Sequence, residues 1–162
     1  MIRFILLCLL AGLISCTKTE ETKGLTASDR ERVTKEVRET LKAYADAVRQ
    51  GGLMAEFNYL DDSDDFFWVL PGYESAISYD LVATIIKANA QMFTRVHLAY
   101  DSVRIVPLSK RLASYTGRVP AEMTDRAGNV TQFVLLETGI LIKRADGWKL
   151  LSGQTIEVVR KK

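Results

Sequence analysis

The C-terminal end of the sequence contains two apolar segments separated by a four-residue connection, and this pair constrains the fold more than any other feature. The segments are residues 130–143 and 148–158, and the connection is Arg144-Ala145-Asp146-Gly147. Asp-Gly between two apolar runs is typical of a β-hairpin turn. We therefore predict two long antiparallel strands at the end of the chain.

The length of the turn fixes which residues face each other across this hairpin. A three-residue loop that ends in glycine pairs Arg144 with Trp148, and Gly139 then lies opposite Gly153. Facing glycines remove side chains from both strands at one point, so the sheet can bend sharply there. A four-residue loop would lose this coincidence, and we expect the shorter loop.

Both faces of the predicted hairpin are apolar. Alternation places Phe133, Leu135, Glu137, Leu141, Leu151 and Thr155 on one face, and Val134, Leu136, Thr138, Ile140, Ile142, Trp148, Leu150 and Ile156 on the other. An antiparallel sheet with one wetted face would carry polar residues on that face. The predicted helices suffice to cover one face, so we expect the second to contact another protomer in a homodimer. A larger core or an unseen partner is the alternative.

The N-terminal segment has the pattern of a bacterial lipoprotein signal. Residues 1–15 contain one early positive charge, Arg3, followed by an apolar run that is far shorter than the roughly 20 residues needed to span a bilayer. Leu13-Ile14-Ser15-Cys16 resembles a lipobox, which implies that Cys16 becomes the lipidated first residue. The alternative is ordinary secretion with a free Cys16.

This interpretation divides the chain into three parts. A signal peptide covers residues 1–15, a polar tether covers residues 16–25, and one domain covers residues 26–162. The formal net charge of +2, with the two signs interspersed, excludes an extended basic face for nucleic acid. We expect a protein of the bacterial cell envelope that contacts the membrane through the lipid on Cys16.

Helical periodicity dominates the first half of the domain. Ser28 and Glu31 form a capping-box pattern that predicts the start of a long amphipathic helix, which Gly51-Gly52 ends. Residues 53–60 predict a second, short helix, and a third helix is predicted from Ser78 to about residue 94.

Shorter strands are predicted between and after these helices. They cover residues 66–70, 98–106 and 112–123, and Pro120 in the last of them predicts a bulge or a sheet edge. The acidic residues 61–65 lack the central glycine and distal glutamate of a calcium-binding EF-hand loop. We interpret them as a solvated turn and expect no metal site.

Five residues are candidates for ligand binding: Tyr44, Trp68, Asn89, Glu137 and Thr155. Glu137 interrupts an apolar strand face, and Thr155 lies opposite it in the predicted register. Tyr44 and Asn89 fall within apolar helix stripes, where a buried polar group needs a partner from the protein or from a ligand. Trp68 could face either side of its strand. Internal hydrogen bonds within the core are the alternative for Tyr44, Asn89, Glu137 and Thr155.

The order of elements and several short motifs resemble a known superfamily. The motifs are Gly128 in a hairpin turn, Glu137-Thr138, Arg144-Ala145-Asp146-Gly147-Trp148 and Ser152-Gly153-Gln154-Thr155. Together they resemble the nuclear transport factor 2-like superfamily, in its SnoaL-like and ketosteroid isomerase-like branch. The resemblance implies an α+β fold in which a curved, cone-shaped sheet wraps around about three N-terminal helices. It also implies an apolar pocket in the mouth of the cone and dimers through the outer sheet face.

The same resemblance gives little support for a histidine-based reaction. Dehydratases and cyclases of this superfamily commonly use a histidine and an acid, whereas His97 is the only histidine here and lies at a predicted element boundary, with Asp101 four residues later. Gln154 occupies the position on the last strand where many relatives carry a histidine. Glutamine does not transfer protons, so that mechanism lacks its usual base.

An isomerase of the ketosteroid type needs a carboxylate base and hydroxyl donors in an apolar cavity. Glu137 is the weak candidate for that base, with Tyr44 as a donor. We rank a structural Glu137–Thr155 pair first, a ligand anchor second and a catalytic base third. The sequence therefore favours binding of a small hydrophobic molecule or a partner without catalysis and without a cofactor. An isomerase or lyase, and a pure assembly module, are the alternatives.

Overall fold

The computed structural model describes residues 24–158 of the chain. The elements in order are α1 (Ala27–Gly51), a 3₁₀ helix (Leu53–Asn58), β1 (Phe67–Val69), α2 (Tyr79–Met92), β2 (Phe93–Leu98), β3 (Ser102–Pro107), β4 (Leu112–Asp125), β5 (Val130–Arg144) and β6 (Gly147–Glu157). The predicted signal peptide, the lipidated Cys16 and most of the tether lie outside the described residues.

The six strands form one curved, open sheet around the helices. The strand order is β1-β6-β5-β4-β2, and β3 also pairs with β4. Every pairing is antiparallel except that between β1 and β6. The predicted α+β fold with a mixed sheet around N-terminal helices is confirmed.

The long first helix starts earlier than its capping pattern predicts. The N-cap is Thr26, whose Oγ1 accepts a hydrogen bond from the Asp29 backbone N–H at 3.0 Å. The predicted cap at Ser28 is wrong, because the Thr26 side chain satisfies a free N–H group of the first turn from a position two residues earlier. The helix ends at Gly51 as predicted, since Gly52 adopts φ 72°, which favours glycine. The predicted apolar stripe is buried, at Val33, Val37, Leu41, Tyr44, Ala45 and Val48.

The final hairpin has the predicted glycine pair but a different turn. Arg144 pairs with Gly147 rather than with Trp148, so the loop has two residues and the predicted three-residue loop is wrong. The register then shifts by one residue between Ile140 and Leu141, where β6 contains an irregularity. This shift offsets the shorter turn, and Gly139 still lies opposite Gly153.

The same shift changes which side chains of the hairpin share a face. Leu150 pairs with Leu141, and both are buried together with Trp148. Trp148 and Leu150 therefore face the core on the side of Leu141, and their predicted place on the opposite face is wrong. A one-residue change in register moves a side chain to the other face because the side-chain period of a strand is two.

The paired glycines make room for two aromatic rings. A Cβ atom at Gly153 would lie 2.7 Å from Trp68 Cη2, and one at Gly139 would lie 3.0 Å from both Trp68 Cη2 and Tyr115 Cε1. These distances are shorter than carbon–carbon contacts allow. The glycines thus permit Trp68 to pack directly on the backbone of the central strands.

The region before β4 differs from the predicted single strand 98–106. It forms two short strands, β2 and β3, and β2 begins directly after Met92, so α2 ends two residues before the predicted end. Pro120 was predicted at a bulge or an edge, but it lies within β4 and pairs with Val134 of β5. The Pro120 carbonyl accepts a hydrogen bond from the N–H of Ala99, which lies between β2 and β3, at 3.2 Å. The ring nitrogen of Pro120 is on the same side of β4 as this carbonyl. It therefore faces the gap between β2 and β3, where none of the described strands requires an N–H donor from it.

The acidic turn after the 3₁₀ helix is solvated only in part. Asp61 is buried, and its two carboxylate oxygens accept hydrogen bonds from Arg144 Nε at 2.6 Å and Nη2 at 2.9 Å. These bonds hold the pKa of Asp61 at about 2. The prediction of a solvated turn is wrong for Asp61, because Arg144 from the hairpin turn pairs with it. Asp62, Asp64 and Asp65 are exposed as predicted.

Substitution of Gly153 by alanine tests the role of the glycine pair. The added methyl group would clash with Trp68 and with the Thr138 carbonyl oxygen. We expect Gly153→Ala to lower the free energy of unfolding by about 2 kcal/mol or more, measured by urea denaturation. The control is Gly51→Ala in α1, where a Cβ atom meets only the Ala55 Cβ at 3.4 Å. Equal midpoints for the two variants would contradict this account.

Candidate functional site

A buried carboxylate, Glu137, lies at the centre of the inner face of the sheet. Its side chain is 8 % exposed. Oε1 accepts hydrogen bonds from the hydroxyl groups of Tyr100 and Tyr115, each at 2.5 Å. Oε2 accepts a longer bond from Thr155 Oγ1 at 3.4 Å. Both oxygens of the carboxylate therefore have donors from within the protein.

The central strands place these donors around Glu137. Glu137 of β5 pairs with Thr155 of β6 on one side and with Gly117 of β4 on the other. Gly117 is needed because a Cβ atom there would lie 2.9 Å from the ring of Tyr100. The ring of Tyr100 thus packs on the bare backbone of β4, and its hydroxyl reaches Glu137. Tyr115 lies two residues before Gly117 on the same face.

Trp68 and Thr155, two of the sequence candidates, are joined to Glu137. Trp68 Nε1 donates to Thr155 Oγ1 at 2.9 Å, and Thr155 in turn donates to Glu137. Trp68 therefore faces the core, which settles the orientation that the sequence left open. The bond between Glu137 and Thr155 that we ranked first is present, but it is longer than the two tyrosine bonds.

A second carboxyl group, Glu56 on the 3₁₀ helix, interacts with Tyr44. The pKa of Glu56 is raised to about 7. Burial is the main cause, the hydrogen bond from Tyr44 opposes the rise, and the negative charge of Glu137 adds to it. Glu56 as a residue is only partly buried, so its carboxyl group is the enclosed part. The edge of the Tyr44 ring packs against Tyr59, with centroids 5.5 Å apart.

The side chains described above form what we call the Glu137 cluster: Tyr44, Glu56, Trp68, Tyr100, Tyr115, Glu137 and Thr155. Its ionisable groups are carboxyl and phenol groups, which are acids. Burial raises the pKa of Glu137, and the bonds from Tyr100, Tyr115 and Thr155 only partly oppose that rise. Burial and then the charge of Glu137 raise the pKa of both Tyr100 and Tyr115 well above the ordinary value. The tyrosines are therefore neutral donors at physiological pH.

Three side chains of this cluster are absent from the sequence candidates: Glu56, Tyr100 and Tyr115. The sequence contains one usable signal for Glu56, since it interrupts an apolar segment as Glu137 does. Tyr115 shares a strand face with buried residues, so alternation could also have found it. Nothing comparable marks Tyr100, because it lies in the connection between β2 and β3 that was predicted as strand.

Other residues considered in the sequence lie elsewhere. Asn89 is partly buried on α2, and within residues 24–158 its side chain has no hydrogen bond to the Glu137 cluster. His97 of β2 is exposed and pairs in register with Glu122. Gln154 is exposed opposite Thr138. Asp101 forms an ion pair with Arg118 rather than with His97.

Glu137 does not line any of five well-formed surface pockets of residues 24–158. The largest of these, about 740 Å³, is lined by residues that include His97, Arg118, Pro120, Glu122, Val134 and Val158. Another, of about 410 Å³, lies between the C-terminal end of α1 and β2. No group of three or more potential metal ligands occurs within the described residues. None of the described helices is long and apolar enough to cross a membrane.

Comparison with known families assigns the domain. The family model of the SnoaL-like domain matches residues 37–155, which include the whole Glu137 cluster. The chain belongs to the SnoaL-like domain family. The resemblance inferred from the sequence motifs is thus confirmed for the domain, and no curated protein sequence matches the chain.

Solved structures share this fold at low sequence identity. A nuclear transport factor 2-like superfamily protein from Salmonella enterica serovar Typhimurium superposes with a TM-score of 0.69 at 12 % identity, covering 82 % of this chain and 95 % of that protein. A type 2 hexachlorocyclohexane dehydrochlorinase gives 0.65 at 14 % identity, covering 83 % and 90 %. A conserved protein from Planctomyces limnophilus gives 0.60 at 16 % identity, covering 80 % and 98 %. At these identities the similarity shows the fold, since one fold carries many functions.

The raised pKa of Glu56 makes the stability of this SnoaL-like domain depend on pH. A folded-state pKa above the unfolded value means that the folded state holds the proton longer, so stability falls as the pH rises from 4.5 to about 7. At about 1.4 kcal/mol per pH unit, this loss amounts to at most about 3.5 kcal/mol. We expect Glu56→Gln to remove this part of the loss, which urea denaturation at pH 5 and pH 8 measures.

The Glu56→Gln variant should still lose some stability as the pH rises, because the pKa of Glu137 is also raised. Glu31→Gln, at an exposed position of α1, is the control and leaves the pH dependence unchanged. An equal pH dependence for Glu56→Gln and the wild-type protein would contradict the raised pKa.

Proposed function

We propose that this chain is a lipid-anchored protein of the bacterial cell envelope whose SnoaL-like domain is a non-catalytic binding module. The observation that supports this most directly is the state of Glu137. Each of its carboxylate oxygens already accepts a hydrogen bond from within the protein, Oε1 from Tyr100 and Tyr115 and Oε2 from Thr155, and Glu137 lines none of the surface pockets described above. A general base needs a lone pair within reach of the proton that it removes.

Binding is therefore assigned to the outer surface of the sheet. Leu136, Ile156 and Val158 are 40 %, 46 % and 44 % exposed there, close to the pocket of about 740 Å³. The same pocket contains a cation, Arg118, and an anion, Glu122. A surface with apolar residues and both signs of charge suits a two-fold interface. In such an interface the same surface of both copies is in contact, so the cation of one copy can face the anion of the other. The proposed partner is a second copy of the chain.

A second candidate is an isomerase or lyase that acts on an apolar, carbonyl-bearing molecule. It is favoured by Glu56, because a carboxyl group with a pKa of about 7 is suited to proton transfer near neutral pH. The dehydrochlorinase with the same fold is consistent with chemistry on this scaffold. In this candidate Tyr44 would be the neutral donor that assists the acid.

Removal of the proposed lipid attachment site tests the anchor. We expect Cys16→Ala to move the protein from the membrane fraction to the soluble fraction, because the thioether-linked acyl chains are lost. Fractionation followed by intact mass measurement detects both changes. Cys8→Ala, inside the predicted signal, is the control and should leave the protein in the membrane fraction. An unmodified Cys16 in the wild-type protein would refute the anchor.

A charged residue on the outer face tests the proposed dimer. We expect Leu136→Lys to raise the dimer dissociation constant at least about tenfold, because it places two like charges in an apolar contact. Sedimentation of the Cys16→Ala protein measures the association without interference from lipid. Leu81→Lys on α2 is the matched control, since Leu81 is 43 % exposed and Leu136 is 40 % exposed. The proposal is wrong if both variants associate equally, or if the unsubstituted protein is a monomer.

A further inference from the structure

We propose that the turn between β3 and β4 is a membrane-contact surface that binds the headgroup phosphates of the bilayer. This inference rests on the proposed lipid anchor and assigns a second contact to it. The residues concerned are Val106, Leu108, Lys110 and Arg111, which we call the β3–β4 turn patch. The patch adds a protein surface to a contact that the sequence assigned to the lipid alone.

The start of the domain is fixed beside this patch. Lys110 Nζ lies 3.3 Å from Asp29 Oδ2 in the first turn of α1. Arg111 Nε and Nη2 donate to the Lys143 carbonyl oxygen at 3.2 and 3.1 Å, and Lys143 Nζ pairs with Glu36 Oε2 at 2.7 Å. The N-terminal end of α1 and the β3–β4 turn patch thus belong to the same end of the domain.

The length of the tether limits how far this end of the domain can lie from the bilayer, and it lets this end approach the bilayer more closely than the opposite end. Nine residues lie between Cys16 and Thr26, and the ten steps from one Cα atom to the next span at most about 3.5 Å each, or about 35 Å in total. The 25 residues of α1 extend about 37 Å toward the opposite end of the domain. The turn between β4 and β5, which contains Ala127, lies at that opposite end because β4 runs away from Leu112.

The chemistry of the patch suits the interface between water and lipid. Val106 and Leu108 are 42 % and 53 % exposed, and the side chain of Lys110 is 67 % exposed. An exposed leucine beside basic residues can enter the acyl boundary while the charged groups bind phosphate. The turn also holds these side chains in place, since the N–H groups of Leu108 and Ser109 both donate to the Leu112 carbonyl, at 2.9 and 3.0 Å.

The neighbouring turn between β5 and β6 does not suit the same role. Asp146 there pairs with Lys149 at 2.8 Å, and Arg144 is paired with the buried Asp61. The exposed Asp62 adds a further negative charge next to this pair. Carboxylates outnumber the cations at this turn, so anionic headgroups would be repelled. In the β3–β4 turn patch, Lys110 and Arg111 outnumber Asp29, the carboxylate that pairs with Lys110. We therefore confine the contact to the β3–β4 turn patch.

Depth-dependent fluorescence tests the proposal on the full lipidated chain. Leu108→Cys and, as the control, Ala127→Cys are each labelled with an environment-sensitive fluorophore. The proteins are placed in vesicles of phosphatidylethanolamine with phosphatidylglycerol that also contain a lipid-borne quencher. We expect quenching at position 108 to exceed that at position 127 at least about twofold, because only the first label reaches the acyl boundary. Lys110→Glu with Arg111→Glu should abolish the difference.

The outcomes separate this inference from the proposed anchor. Intact mass is measured on the same samples before labelling. If Cys16 carries lipid and the two labels are quenched equally, the contact by the β3–β4 turn patch is refuted and the anchor stands. If Cys16 carries no lipid, both proposals fall. Quenching that is unequal and that weakens at high salt supports the contact, since salt screens the binding of Lys110 and Arg111 to phosphate.

Discussion

The buried carboxylate of Glu137 is the constraint on which the interior of this domain depends. A carboxylate away from water is costly unless donors surround it, so the fold has to bring hydroxyl groups to that point. It does so with Thr155 from the neighbouring strand, Tyr115 from the strand on the other side and Tyr100 from a loop. The ring of Tyr100 packs on Gly117, and the ring of Tyr115 packs on Gly139. A glycine contributes no side chain to the packing between strands. Trp68 fills the space that Gly139 and Gly153 leave.

Much of the fold could be predicted from the sequence because its signals are periodic. The stripe from Val33 to Val48 and the apolar alternation of the last two strands determine what faces the core. The exact turn in the hairpin could not be predicted, since a short turn with one irregularity and a longer regular turn give the same pairing of Gly139 with Gly153. The two descriptions differ only between the turn and the irregularity, where they assign Trp148 and Leu150 to opposite faces.

The candidate site was less accessible from the sequence, for a physical reason. Glu137 and Thr155 were found because a polar residue within an apolar strand face is visible in the pattern of alternation. Tyr100 and Glu56 belong to a loop and a 3₁₀ helix, which have no such long period, and they reach the core only through tertiary structure. The helical pattern selected Asn89 as a candidate, but within the described residues its side chain has no hydrogen bond to the Glu137 cluster.

The bond from Trp68 to Thr155 also has a consequence for how the chain reaches its native state. Its two residues are separated by 87 positions, and β1 joins the sheet only by pairing with the last strand. The core therefore cannot close until nearly all of the chain is available, and such distant closures are slow compared with helix formation. Trp68 and β1 thus stay without their final packing partners until the last strand has been synthesised.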